Sequence, residues 1–256
     1  MAHTVIKNIS EFAAALAEIP LAPGKTRFFR GHSDYKKYKV EPSIFRKDYL
    51  IANEENLIHE AIIRCPSELP SSLSMFEVLV RLQHYSLPTR LLDLTSNALV
   101  ALYFACRHKE KTEGEVLVFD IPNEQVKYYE SDTVSIISNI AKRNKNFDLT
   151  KLPADKEAFN SNEEIGRLLH DIRRDKPAFR PIIDAADLRR VIAVRTRLDN
   201  ARIAKQEGAF LLFGTGNNKL EPAKIPDEWL VCGTVDRRIV FSNKHTLKKE
   251  LASFGV

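Results

Sequence analysis

The sequence predicts a single α+β domain over residues 1–256, with a mixed or mainly antiparallel sheet flanked by helices. Two observations lead to this. A short aromatic strand pattern lies near the start (Thr26–Arg30, TRFFR), while apolar strand patterns crowd the second half, so one sheet would draw strands from both ends of the chain. A helical middle separates them, and no repeated alternation of strand and helix supports a doubly wound parallel sheet. At 256 residues, 44% hydrophobic and 29% charged, the chain can bury a core of this kind.

Taken in order, Ser10 is placed to cap a helix over Glu11–Ile19, with Phe12, Leu16 and Ile19 on one stripe and Pro20 as its stop. The strand Thr26–Arg30 is expected to end in a turn at Gly31. Helices follow over Asn53–Arg64 and Ser74–Tyr85, the second burying Phe76, Leu79, Val80 and Leu82 before Pro88. Ser96–Arg107 is apolar nearly all round and reads as a core helix capped by Ser96 or Thr95. Strands are expected at Glu115–Ile121, Arg190–Thr196, Ala209–Gly214, Trp229–Val235 and Ile239–Phe241. Residues 128–180 read as a polar helical insert or lid, and Lys244–Ser253 as an amphipathic helix that Gly255 ends.

No run approaches the roughly 18 to 20 uninterrupted apolar residues of a membrane span, and the N-terminus lacks a basic flank before an apolar stretch. A cytoplasmic protein without a membrane partner is expected. Three widely spaced cysteines, Cys65, Cys106 and Cys232, form no zinc or redox pattern and are expected to be buried thiols. No motif supplies the two or three acidic residues of a divalent-metal site. Residues 165–205 hold eleven basic residues against five acidic ones, out of a net charge of +5 for the chain. This strip suits a nucleic acid or another polyanion, or else a solvated helical face with internal ion pairs.

Four polar clusters stand at the ends of apolar elements. In Phe28-Phe29-Arg30-Gly31-His32, Arg30 would offer its donors to a phosphate at a sheet rim, and Gly31 would let the backbone approach the ligand. The densest cluster runs from Leu82 to Thr95 and holds Gln83, His84, Tyr85, Thr89, Arg90 and Asp93 in a loop between two helices. Its structural alternatives are an Arg90–Asp93 pair and a Tyr85 that belongs to the core. Lys205-Gln206-Glu207-Gly208 opens a late strand, where Glu207 could act on a sugar. Asp199-Asn200-Ala201-Arg202 reads as a turn and helix start.

The order FFRGH, EPSIFR, LQHYSLPTRLLDLTSNALVALYFAC and NARIAKQEGAFLLFG resembles the FRG-domain family, named for a phenylalanine-arginine-glycine motif matching Phe29, Arg30 and Gly31. The similarity covers about Thr26–Phe213, departs at Leu94, where members often carry tryptophan, and leads one to expect further sequence beyond Val256. Such proteins are common in bacteria and phages. The series of residue types is also similar to the arginine, serine/threonine and glutamate series of ADP-ribosyltransferases. That likeness implies a related fold and an NAD-dependent ADP-ribosyltransferase or NAD glycohydrolase, acting on nucleic acid or protein in bacterial or phage conflict. On it, Arg30 holds the pyrophosphate, Glu207 acts at the ribose beside Gln206, Thr89 and Thr95 are the organising hydroxyls, and Tyr85 stacks on nicotinamide.

Two other classes stay open. A metal-independent nuclease would use His84 as base, Asp93 to orient it, and Arg30 and Arg90 on the scissile phosphate. A non-enzymatic module would bind a nucleotide or nucleic acid with the same arginines. In every case Arg30, His84, Tyr85, Arg90, Asp93 and Glu207 are expected around one cleft.

Overall fold

The computed structural model describes residues 2–108, 111–197, 207–233 and 237–255. Its centre is one sheet of nine strands: β1 (Ala2–Val5), β2 (Lys25–His32), β3 (Leu91–Thr95), β4 (Gly114–Pro122), β5 (Val126–Tyr128), β6 (Val191–Arg195), β7 (Gly208–Phe213), β8 (Leu230–Cys232) and β9 (Arg237–Phe241). The order across it is β1-β9-β4-β2-β3-β7-β6-β5, with β8 paired to β4 off this path. Pairing is antiparallel except at the two edges, where β1 joins β9 and β5 joins β6 in parallel. The expected α+β architecture, with strands from both ends of the chain in one mainly antiparallel sheet, is therefore present.

Ten α-helices surround the sheet: α1 (Ile9–Ala17), α2 (Asp48–Ala52), α3 (Glu54–Arg64), α4 (Met75–His84), α5 (Ala98–Arg107), α6 (Asp132–Asn139), α7 (Lys156–Asn160), α8 (Glu163–Asp175), α9 (Ala185–Leu188) and α10 (Lys244–Ser253), counted among the described residues. Period-two alternation divides their work. On β2, Phe29 packs with α1, α5 and α10, while Phe28 faces the opposite core of Ile44, Phe45, Leu92 and Trp229. On β7, Phe210 and Leu212 join α3, α4, α6 and α8, while Leu211 joins that opposite core. One face of the sheet thus carries a single core, and the other is covered by two helical groups, one around α5 and one around α4. They meet above the junction of β2 and β3.

Several local expectations change. Leu91–Thr95 is a strand, not part of a loop: Leu92 and Leu94 serve one core, while Leu91 serves the other from the face that also carries Asp93 and Thr95. β1 and β5 are short edge strands that the sequence did not announce. The cap of α1 is Asn8 rather than Ser10, and that of α5 is Asn97 rather than Ser96 or Thr95. For α4, expected to begin at Ser74, that residue is the cap, in a capping box with Glu77. Residues 128–180 are helical but not a polar lid, since Ile137, Phe147, Leu168 and Ile172 are fully buried in the same core as α4. Cys106 and Cys232 are buried, and desolvation pushes the Cys106 thiol up to about 12, whereas Cys65 is exposed. No helix among the described residues is long and apolar enough to cross a membrane.

Candidate functional site

The fold opens a cleft where the two helical groups part. β2 is paired to β4 along its whole length but to β3 at one position only, Phe29 opposite Thr95. Beyond that pair the two strands diverge, and the Arg30 guanidinium spans the gap, Nη1 donating to the Asp93 carbonyl at 2.7 Å. The cleft over this seam has a volume of about 330 Å³. β2 and the loop after it supply Arg30, His32 and Tyr38; α4 supplies Gln83 and His84; and α5 supplies Phe104 and, just past its end, His108. Arg46, at the end of a short 3-10 turn, enters from the other side.

Arg30 is held by two of its nitrogens. Nε donates to His32 Nε2 at 3.2 Å, and the opposite ring nitrogen of His32 lies 3.2 Å from Glu115 Oε1. Arg238 also bonds Glu115. An arginine Nε–H can only donate and an ionised carboxylate can only accept, so this arrangement assigns the imidazole proton to Nδ1. Burial pushes His32 below its ordinary value, opposed by Glu115 and reinforced by Arg30 and Arg46. Desolvation likewise lowers Arg30; Asp93 opposes this and Arg46 adds to it. Among the described residues the nearest carboxylate oxygen to Arg30, on Asp93, is 3.9 Å away on a side chain that is 60% exposed. Among the described residues Arg30 Nη2 has no hydrogen-bond partner. A desolvated cation so weakly neutralised favours negative charge beside it.

Residues 25–114 match the model of the FRG domain. That stretch, 90 of the 256 residues, is similar to an FRG domain. No curated protein and no solved structure matches the chain. The matched stretch runs from the start of β2 to the start of β4, so it contains Arg30, His84 and Asp93 but not Glu207. In the FRG motif itself, Phe29 packs beneath α5, Arg30 spans the seam, and Gly31 admits the helix: a Cβ there would lie 2.0 Å from the Ala101 carbonyl oxygen. The close approach that requires Gly31 is therefore by α5, not a ligand, and Gly31 sits inside β2 rather than in a turn.

Of the other residues singled out in the sequence, His84, Asp93 and Thr95 line the cleft with Arg30. Thr89 is buried one step behind: its hydroxyl donates to Gln83 Oε1 at 2.6 Å, and Gln83 Nε2 donates to Asp93 Oδ2 at 3.2 Å. Tyr85 is neither core nor cleft; it is exposed beyond α4, with its hydroxyl on Glu68. Arg90 is fully buried away from the cleft, pairing with Glu54 rather than Asp93. Glu207 precedes Gly208, which lines the cleft, and takes left-handed backbone (φ 45°). Its carboxylate accepts from Ser96 Oγ and Asn97 Nδ2, each at 3.0 Å. The expected convergence thus holds for Arg30, His84 and Asp93, with Glu207 at the margin, and fails for Tyr85 and Arg90. Gln206 and Asp199–Arg202 lie outside the described residues.

Sequence reasoning passed over His32, Arg46 and Ser96. For His32 the available signal was its place two residues after Arg30, on the same face of a strand. Much of the charge in 165–205 is answered locally: Arg167 pairs with Glu163 and Glu164, Lys176 with Asp132, and Arg190 with Asp187.

Proposed function

We propose that the FRG domain cleft binds NAD through its phosphates and cleaves the bond between ribose and nicotinamide, passing ADP-ribose to water or to an acceptor hydroxyl. The observation that carries this reading is Arg30, a desolvated guanidinium with one nitrogen unpartnered and no full counter-charge. A cleft of about 330 Å³ is at the lower end of ligand pockets and would enclose one nucleotide half of a dinucleotide. Glu207 gives the reading its chemistry. Its left-handed backbone is uncommon for a residue with a side chain, and Ser96 and Asn97 hold its carboxylate in place. Ser96 then takes the organising role expected of Thr89 or Thr95.

In the reaction the ribosyl carbon–nitrogen bond breaks with its electron pair leaving on nicotinamide. The acceptor oxygen bonds the same carbon and releases a proton to solvent. Positive charge develops on the ribose, and the fixed Glu207 carboxylate stabilises it. The phosphates are held by Arg30 with Arg46 beside it.

The test is to mix pure protein with NAD, with and without an added oligonucleotide, and follow nicotinamide release and mass addition. Nicotinamide release by the wild type is expected. Glu207→Gln should bind NAD nearly normally and lose turnover by roughly a hundredfold or more. Cleavage of the oligonucleotide without nicotinamide release would overturn the reading in favour of a nuclease, and NAD binding without turnover in favour of a binding module.

A further inference from the structure

We propose that His32 is the positioning residue of the anion site: its Nδ1–H tautomer, fixed by Glu115, presents the lone pair that orients Arg30, and protonation of His32 releases that arginine. This rests on reading the cleft as a phosphate site. The geometry is a chain of four side chains from three neighbouring strands, Arg238 on β9, Glu115 on β4, then His32 and Arg30 on β2. Both His32 and Glu115 are only 3% exposed, so water does not substitute easily for either link. With Nε tied to His32 and Nη1 to the Asp93 carbonyl, the guanidinium plane is fixed at two points and Nη2 is left for the ligand. Of these two restraints, only the imidazole can be switched.

The charged and titratable groups around His32 determine the sign of the effect. Arg30 touches it from β2, Glu115 from β4, and Arg46 reaches it from the 3-10 turn; the Tyr38 ring lies 5.8 Å from its own. Arg238 acts on it through Glu115. A proton on Nε2 removes the acceptor for Arg30 and sets a second cation against it, with Arg46 adding a third. Since burial holds His32 below its ordinary value of 6.5, the imidazole is neutral at pH 7 and charges only as the pH falls further. Two influences then oppose each other in the cleft. An added positive charge by itself would tighten anion binding, whereas loss of the oriented guanidinium weakens it. Release of Arg30 should dominate, because the new charge is already paired with Glu115.

The experiment titrates NAD against wild type, His32→Gln and His32→Leu between pH 5 and 8, with inorganic pyrophosphate as a second probe and melting temperature as a folding control. Wild type is expected to bind more weakly as the pH drops below about 6.5. His32→Gln keeps an acceptor near the Nε2 position, so it should hold its pH 7.5 affinity within about threefold and lose the acid dependence. His32→Leu should bind about tenfold more weakly than wild type at pH 7.5, with the gap closing as the pH falls because the wild type then loses the same acceptor. Tightening of the wild type on acidification, or an unchanged acid dependence in His32→Gln, would overturn the proposal; this remains decisive even if His32→Leu fails to fold. Absence of NAD and pyrophosphate binding to the wild type at any pH would instead reject the phosphate reading itself.

Discussion

Two arginines in this chain have the same chemistry, are both withdrawn from water, and serve opposite ends. Arg90 is wholly buried and answered in full: Nε and Nη2 meet the two oxygens of Glu54, Nη1 donates to the Phe213 carbonyl at 3.0 Å, and the Phe45 ring lies 5.7 Å away. Arg30 has a carbonyl, an imidazole lone pair and a distant exposed carboxylate. Burial alone does not mark an arginine as structural or functional; the local charge balance does. Both regions carry excess positive charge, Arg30 with Arg46 in the cleft and Arg90 with Lys219 against the single Glu54 in the core. The core can shed its excess above about pH 8, where the buried Lys219 gives up its proton. An arginine cannot, so the positive charge of the cleft persists across that range.

The largest expected effect that would sharpen this contrast is on stability. Arg90→Ala leaves Glu54, which is 2% exposed, without its main partner and should cost about 3 to 5 kcal/mol. For a chain of this size that lowers the melting temperature by about 10 °C, readable by thermal denaturation. A small shift would mean that Lys219 alone satisfies Glu54, and the contrast would collapse.

Next in size is a dependence on alkaline pH. Desolvation, opposed by Glu54 and aided by Arg90, pushes buried Lys219 down to about 8, against 10.5 for an ordinary lysine. Between those values the unfolded chain holds a proton that the folded protein has lost. The contribution of Lys219 to stability therefore rises with pH through that window, by about 3 kcal/mol at most. Denaturant midpoints at pH 7.5, 9 and 10.5 should show this rise in wild type relative to Lys219→Met, and parallel curves would contradict it.

The smallest effect belongs to the cleft. Asp93 is exposed, so Asp93→Asn should change the melting temperature little while removing the carboxylate nearest Arg30 among the described residues. NAD affinity should rise by about two- to tenfold at low salt, and less at high salt. A fall in affinity would give Asp93 a contact with the ligand rather than with Arg30.

The sequence made the sheet legible because β2, β4, β6 and β7 are apolar or aromatic runs with clear ends, and made α4 legible because Phe76, Leu79, Val80 and Leu82 share one buried face ahead of Pro88. It hid β3, which is only five residues long and follows directly on the polar run Gln83–Arg90. That omission had consequences: read as a loop, Leu82–Thr95 let Tyr85, Arg90 and Asp93 point anywhere, whereas strand geometry sends alternate residues to opposite faces. Asp93 then faces α4 and Gln83, and Arg90, just ahead of the strand, turns toward Glu54. Glu54 lies thirty-six residues upstream, and no local pattern announces such a pair. Arg30 was legible from its neighbours alone, while the tautomer of His32 depends on a strand that returns eighty-three residues later.

The most direct test of the uncancelled charge on Arg30 is a calorimetric titration of NAD into wild type and Arg30→Ala, with the melting temperature of each. Loss of one charge-assisted contact should weaken binding by about ten- to a hundredfold while the melting temperature stays within about 3 °C of wild type. Unchanged affinity, or a collapse of stability like that expected for Arg90→Ala, would show that Arg30 is a second structural arginine and that the cleft holds no unmet charge.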